Sequence, residues 1–300
     1  VCLVTVNPKS KIFARVMDYN LETTVDAYWL KDKISKALAK RKEIFRDPFY
    51  RLVNAEADEL PGLIVDRFDN VIVMQPNAFW AENMSEIIAN SIKEVCSIDV
   101  VIKNASGRSR RLEGLDDKNS VFFGDLPEAA ISVPMNGAIY KADVHEGQKT
   151  GLFYDQRQNH KFVASLANGK TVLDVFCHVG GFGLAAIAAG ASKVSFVDSS
   201  ANALDLVREG ASEMMASSKM NIIRGDAFSV LRKLFESNKS YDIVICDPPA
   251  FVTSRKSLNS GLRAYEKMAK LGSSLVRENG ILVLCSCSQL ADLTLSLIHI

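Results

Sequence analysis

The sequence has little of what would tie it to a metal or to disulfides. Its four histidines are dispersed, and its six cysteines, at positions 2, 96, 177, 246, 285 and 287, form no C-x-x-C pair. That spacing speaks against a zinc centre, and unpaired thiols in apolar segments suit a reducing compartment. An excess of one charge is lacking too: 36 Lys and Arg stand against 35 Asp and Glu, a formal net charge of +1. Bulk electrostatics therefore do not select nucleic acid, and any RNA affinity must come from local patches. No run approaches the roughly 18 apolar residues of a membrane span. The opening VCLVTV is too short for a secretory leader and has no basic residue before it. A cytoplasmic protein with no membrane partner is the expectation. Internal repeats and low-complexity linkers are also missing.

What is present is an α/β pattern long enough for about two domains and a core that needs no staples. Up to residue 53, short apolar pieces flank a basic helix. There Tyr28, Ile34, Leu38 and Ile44 alternate with Lys31, Lys33, Lys36, Lys40, Arg41 and Lys42. A solvated charged face is the plain reading of that helix, and a phosphate-contacting face the sharper one. Residues 54–160 read as a small α/β unit, with a hairpin turning at Asp69-Asn70, a helix in AENMSEIIANSIKEV and a strand in DVVIKN. Its loop GRSRRLEG offers Arg108, Arg110 and Arg111 as candidate RNA contacts. Ala138–Val144 reads as a strand and Asp155 as a helix start, with Gln148, Lys149, Thr150, Asp155, Gln156 and Arg157 crowded between and around them. From 161 to 300, the apolar runs at Val172–Phe176, Val194–Val197, Asn221–Ile223, Ile243–Cys246 and Ile281–Leu284 alternate with helical stretches. That is the rhythm of a doubly wound parallel sheet.

Chemistry gathers where these strands end. DVFCHVGGFG follows the first of them, and Gly180, Gly181 and Gly183 permit close backbone approach before a helix N-terminus. The turn departs from G-x-G-x-x-G, so by itself it is a weak signal. Asp174, Asp198, Asp226 and Asp247 then fall at four successive strand ends. Any one could be a helix cap; four in register point to a nucleoside-type cofactor. Asp198 is placed for a ribose diol and Asp226 for an exocyclic adenine amine. A single compact glycine turn suits S-adenosyl-L-methionine, which carries no phosphate, better than a nicotinamide dinucleotide.

In order and spacing, DVFCHVGGFG, VDSS, GDAF, CDPPAF and CSCS resemble the S-adenosylmethionine-dependent Rossmann methyltransferases. More narrowly, LPGLIVDRF with HEGQKTGLFYDQRQNH is similar to the bacterial large-subunit (23S) ribosomal RNA 5-methylcytosine methyltransferases, over nearly the whole chain. The resemblance implies a partial PUA domain with a linker helix at 1–53, a central α/β domain at 54–160 and the methyltransferase domain at 161–300. It implies that QKTGLFYDQR closes over the cofactor through Thr150, Phe153 and Arg157, the last at its carboxylate end. The matched motifs add Phe176, Gly180, Ser199 and Ala227 to the cofactor set of Asp198, Asp226 and Asp247. Ribosomal RNA is the implied partner, and dimerisation stays open.

Carbon 5 of a pyrimidine is a poor nucleophile, and a thiolate adding at carbon 6 activates it. ILVLCSCSQL supplies Cys285, expected to be packing, and Cys287, which matches the family's Ser-Cys-Ser nucleophile. Cys246 and Cys177 read as core. Asp247 would hydrogen-bond the cytosine edge, with Pro248 fixing the strand exit and Phe251 stacking on the extruded base. In base-amino methyltransferases an aromatic follows Asp-Pro-Pro directly; Ala250 stands there instead. Competing readings are methylation of uracil carbon 5 or of another RNA, an RNA-binding scaffold without catalysis, and, distantly, a nicotinamide oxidoreductase. The tail QLADLTLSLIHI lacks the further helices and strands of the family, so an incomplete and poorly stable C-terminus is expected.

Overall fold

The computed structural model of the chain describes residues 1–145, 150–288 and 290, and of Arg108 the backbone alone. Two compact units emerge: Val1–Val133 with Ala142–Asp155, and Pro134–Lys141 with Gln156–Ile300. Gln148, Lys149 and the tail from 291 onward, for which expectations were stated, lie outside the described residues.

In the first unit, β1 (Leu3–Val6) and β2 (Ala14–Asp18) form a two-stranded antiparallel sheet, and no barrel surrounds it among the described residues. Helix α1 (Ala27–Ile44) starts where the Asp26 carboxylate accepts the Trp29 N–H at 2.9 Å. Five strands follow, with three helices among them: β3 (Phe49–Asn54), β4 (Leu63–Phe68), β5 (Val71–Pro76), α2 (Phe79–Asn83), α3 (Ser85–Cys96), β6 (Val100–Lys103), α4 (Arg108–Leu112) and β7 (Ser120–Phe123). The sheet order is β3-β4-β5-β6-β7, parallel only between β5 and β6. Asp69 takes a positive φ of 56° at the tight β4–β5 turn, a conformation that Asp tolerates.

Several expectations need correction here. Because β3 is paired along β4, the central sheet begins at Phe49 and not after residue 53. The buried face of α1 is Trp29, Leu30, Ile34, Ala37 and Leu38, while Tyr28 and Ile44 point to solvent. Most of its cations are paired with acids: Lys31 with Glu94, Lys33 with Glu59, Lys36 with Asp32, and Lys40 and Arg41 with Asp58. That is a solvated, ion-paired face and not a free phosphate-binding one. Arg108 to Arg111 form the short helix α4 and not a loop.

The chain then makes a two-stranded sheet from β8 (Ile131–Met135) and β9 (Ala138–Ala142). Residues 134–141 belong to the second unit, where the Tyr140 hydroxyl donates to the Gly181 carbonyl at 3.1 Å and Lys141 pairs with Glu213. The expected boundary near 160 thus becomes an exchange of segments, completed at residue 156. The second unit continues with α5 (Arg157–Ser165), β10 (Thr171–Val175), α6 (Gly181–Ala188), β11 (Lys193–Asp198), α7 (Ala201–Glu213), β12 (Met220–Arg224), α8 (Ala227–Glu236), β13 (Tyr241–Cys246), α9 (Leu258–Ser273) and β14 (Val276–Leu284). All pairings in its sheet are parallel, in the order β12-β11-β10-β13-β14. Strands covered on both faces read as apolar runs, and Val172, Leu173, Val194, Phe196 and Val244 are fully buried. The direction of winding reverses between β10 and β13. Ligands of such sheets bind at the carboxyl ends beside that reversal.

Candidate active site

Two segments leave the sheet at the reversal point, Phe176–Gly180 after β10 and Asp247–Phe251 after β13. The first is strained: Phe176 and His178 hold positive φ of 62° and 50°, and Gly180 follows at 83° as the N-cap of α6. Non-glycine residues in that region cost about 1–3 kcal/mol each and collect at ligand clamps. The Asp198 carboxylate holds the loop by accepting the His178 N–H at 2.9 Å through Oδ2, and it accepts the Ser200 N–H at 2.9 Å through Oδ1. The glycines divide their work. Gly180 supplies the left-handed turn, whereas a methyl group on Gly181 would meet the His160 ring at 2.5 Å and one on Gly183 the Phe196 ring at 2.1 Å. Those two serve close packing of α6, a role the sequence pattern alone does not distinguish from cofactor approach.

The acids follow. Asp174 is fully buried within β10, and its Oδ2 accepts the Gly183 N–H at 2.8 Å. Its Oδ1 is buried without a hydrogen-bond partner among the described residues. Burial, with Asp247 and Asp198 nearby, pushes the Asp174 carboxyl up to about 7, against the hydrogen bond from Gly183. Asp226 caps α8: its Oδ1 accepts both the N–H and the hydroxyl of Ser229 at 2.9 Å, which holds its carboxyl below the usual range. Ser199 is exposed after β11, and Ala227 is buried as the first residue of α8. Arg157 opens α5, with its carbonyl accepting from the Asn136 amide at 2.8 Å.

Thr150 and Phe153 belong to the first unit. Thr150 is fully buried, and its hydroxyl donates to Asp66 Oδ2 at 2.6 Å, the carboxylate that also pairs with Arg51 at 2.9 Å. Its side chain is committed to that internal network. Arg110, expected as an RNA contact, requires correction. It is fully buried, donating to the Pro76 carbonyl at 2.6 Å, Glu82 at 2.8 Å and the Asp116 carbonyl at 2.9 Å. A guanidinium so enclosed presents no surface to RNA, whereas Arg111 is exposed.

The second exit loop is fastened by its neighbours. The Ser288 hydroxyl accepts the Val252 N–H at 3.1 Å and lies 2.8 Å from the Tyr265 hydroxyl, tying the end of β14 to α9 and to the DPPAF segment. The Cys285 N–H donates to the Cys246 carbonyl at 2.9 Å. Cys287 is the exposed one among the six cysteines, and its Sγ lies 3.9 Å from the Pro248 carbonyl. The other thiols in this unit are disfavoured as nucleophiles by burial, which pushes Cys246 and Cys285 up to about 12 and Cys177 well above its ordinary range. Pro248 is buried. Phe251 is half-buried, with ring centroids 4.8 Å from Tyr265, 6.0 Å from Phe228 and 6.3 Å from Phe176.

Tyr265, Ser288 and Phe228 carry no signal in the sequence as members of this site, since their meeting depends on the folded sheet. Arg255 and Lys256 lie shortly after the DPPAF segment, and Arg263 follows within α9. All three are exposed and without ion pairs among the described residues.

Residues 110–292 match a family described as S-adenosylmethionine-dependent methyltransferases. The chain belongs to that family. S-adenosylmethionine is therefore its cofactor, and the strained glycine turn, the bare buried oxygen of Asp174 and the acids at the strand ends fit a cationic nucleoside. The ribosomal RNA large subunit methyltransferase I of Shewanella denitrificans is 33% identical over 290 residues, 95% of this chain and 73% of the relative. In fold, a candidate SAM-dependent methyltransferase from Streptococcus mutans superposes with a TM-score of 0.84 at 19% identity, over 99% of this chain and 76% of that one. A candidate methyltransferase complexed with SAH gives 0.85 at 19% identity, over 99% and 77%.

Proposed function

We propose that this methyltransferase modifies large-subunit ribosomal RNA, forming 5-methylcytosine through a covalent adduct at Cys287. Kinship with relatives named for large-subunit ribosomal RNA supports the substrate. The observation that carries the chemistry is the exposure of Cys287 beside Pro248 and the Asp247 exit, in a unit whose other cysteines are buried or half-buried. S-adenosylmethionine supplies the electrophilic methyl group. The Cys287 thiolate adds to carbon 6 of the base, which makes carbon 5 electron-rich for methyl transfer. Asp247 holds the ring edge, and its hydrogen bond strengthens as charge develops there. Loss of the carbon-5 proton then re-forms the double bond as the Cys287 sulfur leaves carbon 6. Phe251, set among Phe176, Phe228 and Tyr265, gives the extruded base an aromatic wall. RNA containing 5-fluorocytosine blocks the proton-loss step, and is expected to trap a protein–RNA adduct that mass spectrometry maps to Cys287. An adduct at another residue would reassign the nucleophile, and digestion of methylated RNA to nucleosides separates cytosine from uracil.

Arg255, Lys256 and Arg263 give the approaching RNA a cationic surface next to this exit loop. Acidic residues are absent from the first turn of α9 and of the short 3-10 turn before it. Cations at a helix start oppose the helix dipole, so they add nothing to stability there. Reversing Arg255 and Lys256 to Glu is expected to weaken RNA binding and flatten its salt dependence by about one unit of log–log slope per lost phosphate contact. Cofactor affinity should stay as it was. A filter-binding salt series against calorimetry with cofactor alone makes the comparison.

A further inference from the structure

The carboxyl of Asp174 has a surrounding that an ionised group tolerates poorly. It is enclosed in β10 at the reversal point, its Oδ2 takes one backbone N–H from the first turn of α6, and its Oδ1 takes none from the described residues. A buried charged oxygen without a donor is costly, and such a group keeps its proton instead. The neighbouring strands add no relief. Asp198 ends β11 on one side and Asp247 follows β13 on the other, and both repel a third negative charge. The remaining titratable groups facing it are Tyr140 from β9, Cys177 from the strained loop, Cys246 from β13 and Cys285 after β14. Burial keeps all four neutral, and Arg157 acts on Tyr140, not on Asp174 itself. His160 of α5 packs on Phe182 of α6, with ring centroids 4.5 Å apart.

The cofactor brings positive charge. S-adenosylmethionine carries a sulfonium and an ammonium against a single carboxylate. We propose that Asp174 is uncharged in the cofactor-free protein and gives up its proton as S-adenosylmethionine enters, so that cofactor binding releases a proton. The bond that breaks is the carboxyl O–H, the proton leaves to solvent, and no redox partner is needed. A cation within roughly 6 Å lowers a carboxyl's pKa by about 1–3. That is enough to ionise a group whose free-state value is about 7. The sign follows from linkage. Below the free-state pKa the proton must be expelled for binding, so affinity rises with pH up to neutrality and levels off above it.

The inference rests on the cofactor class alone and not on Cys287 or RNA. Calorimetric titration of the full chain with S-adenosylmethionine, at about pH 6.5 in phosphate and in imidazole buffers, reads the proton count from the difference in heat. Release of a substantial fraction of one proton per cofactor is expected, and Asp174→Asn, which still accepts the Gly183 N–H, should abolish it. Equal heats in the two buffers, or release retained in D174N, would overturn the proposal. Should that variant fail to fold, infrared difference spectra of the unaltered protein decide. A protonated-carboxyl stretch that vanishes on adding cofactor supports the assignment, and no such band refutes it. Neither result bears on whether 5-fluorocytosine RNA is trapped, so the two readings fail separately.

Discussion

Cys287→Ala will abolish methylation while leaving cofactor affinity and thermal stability where they were. The expected loss is on the order of 10⁴-fold or more, the scale on which enzymes respond to removal of a nucleophile. Without the thiolate, carbon 5 has no route to sufficient electron density, and positioning by Asp247 and the aromatic wall cannot replace a covalent bond. Cys287 is exposed, so the structural cost should stay within about 0.5 kcal/mol. Cys285→Ala is the control. Its thiol is held near 12 by burial and faces Asp247, and its loss should leave a working enzyme. Single-turnover methylation of RNA, alongside calorimetry with cofactor, separates the outcomes. Retained turnover in C287A would remove the covalent scheme.

Arg110→Ala will cost about 3–5 kcal/mol of stability in the first unit, the usual consequence of stripping one partner from a buried ion pair. The guanidinium is fully buried and serves the Pro76 and Asp116 carbonyls as well as Glu82, which keeps Lys103 at 2.7 Å among the described residues once the arginine is gone. RNA affinity of the protein that remains folded, and its salt slope, should not change. Those are the quantities that would move if Arg110 contacted phosphate. Urea unfolding followed by Trp80 and Trp29 fluorescence, both residues of this unit's core, reports the loss directly. An unchanged midpoint with a reduced salt slope would restore the RNA reading.

These cases show where local sequence suffices. The three central parallel strands, β10, β11 and β13, were legible because strands buried on both faces must be apolar throughout, and Asp198 and Asp247 stand out where such runs stop. Asp226 was legible as a carboxylate that could cap a helix, and it does so while keeping Oδ2 unengaged by the described residues. The hairpin at Asp69-Asn70 was legible from its turn residues. Helix α1 was legible as a helix but its face was not. Trp29, Leu30, Ala37 and their neighbours are chosen by packing on α3 and β3, and Tyr28 and Ile44 look equally apolar in isolation.

The sequence by itself determined the alternation of strands and helices, the order in which acids meet the sheet's carboxyl edge, and the rigid Asp-Pro-Pro exit, since each depends on residues near in the chain. Tertiary structure alone decided that Arg110 and Thr150 are enclosed while Cys287 is open, that the segment 134–141 joins the second unit, and that Asp174 is left with one oxygen unserved. Burial and hydrogen-bond satisfaction depend on partners tens of residues away, and a run of letters carries no distance between them.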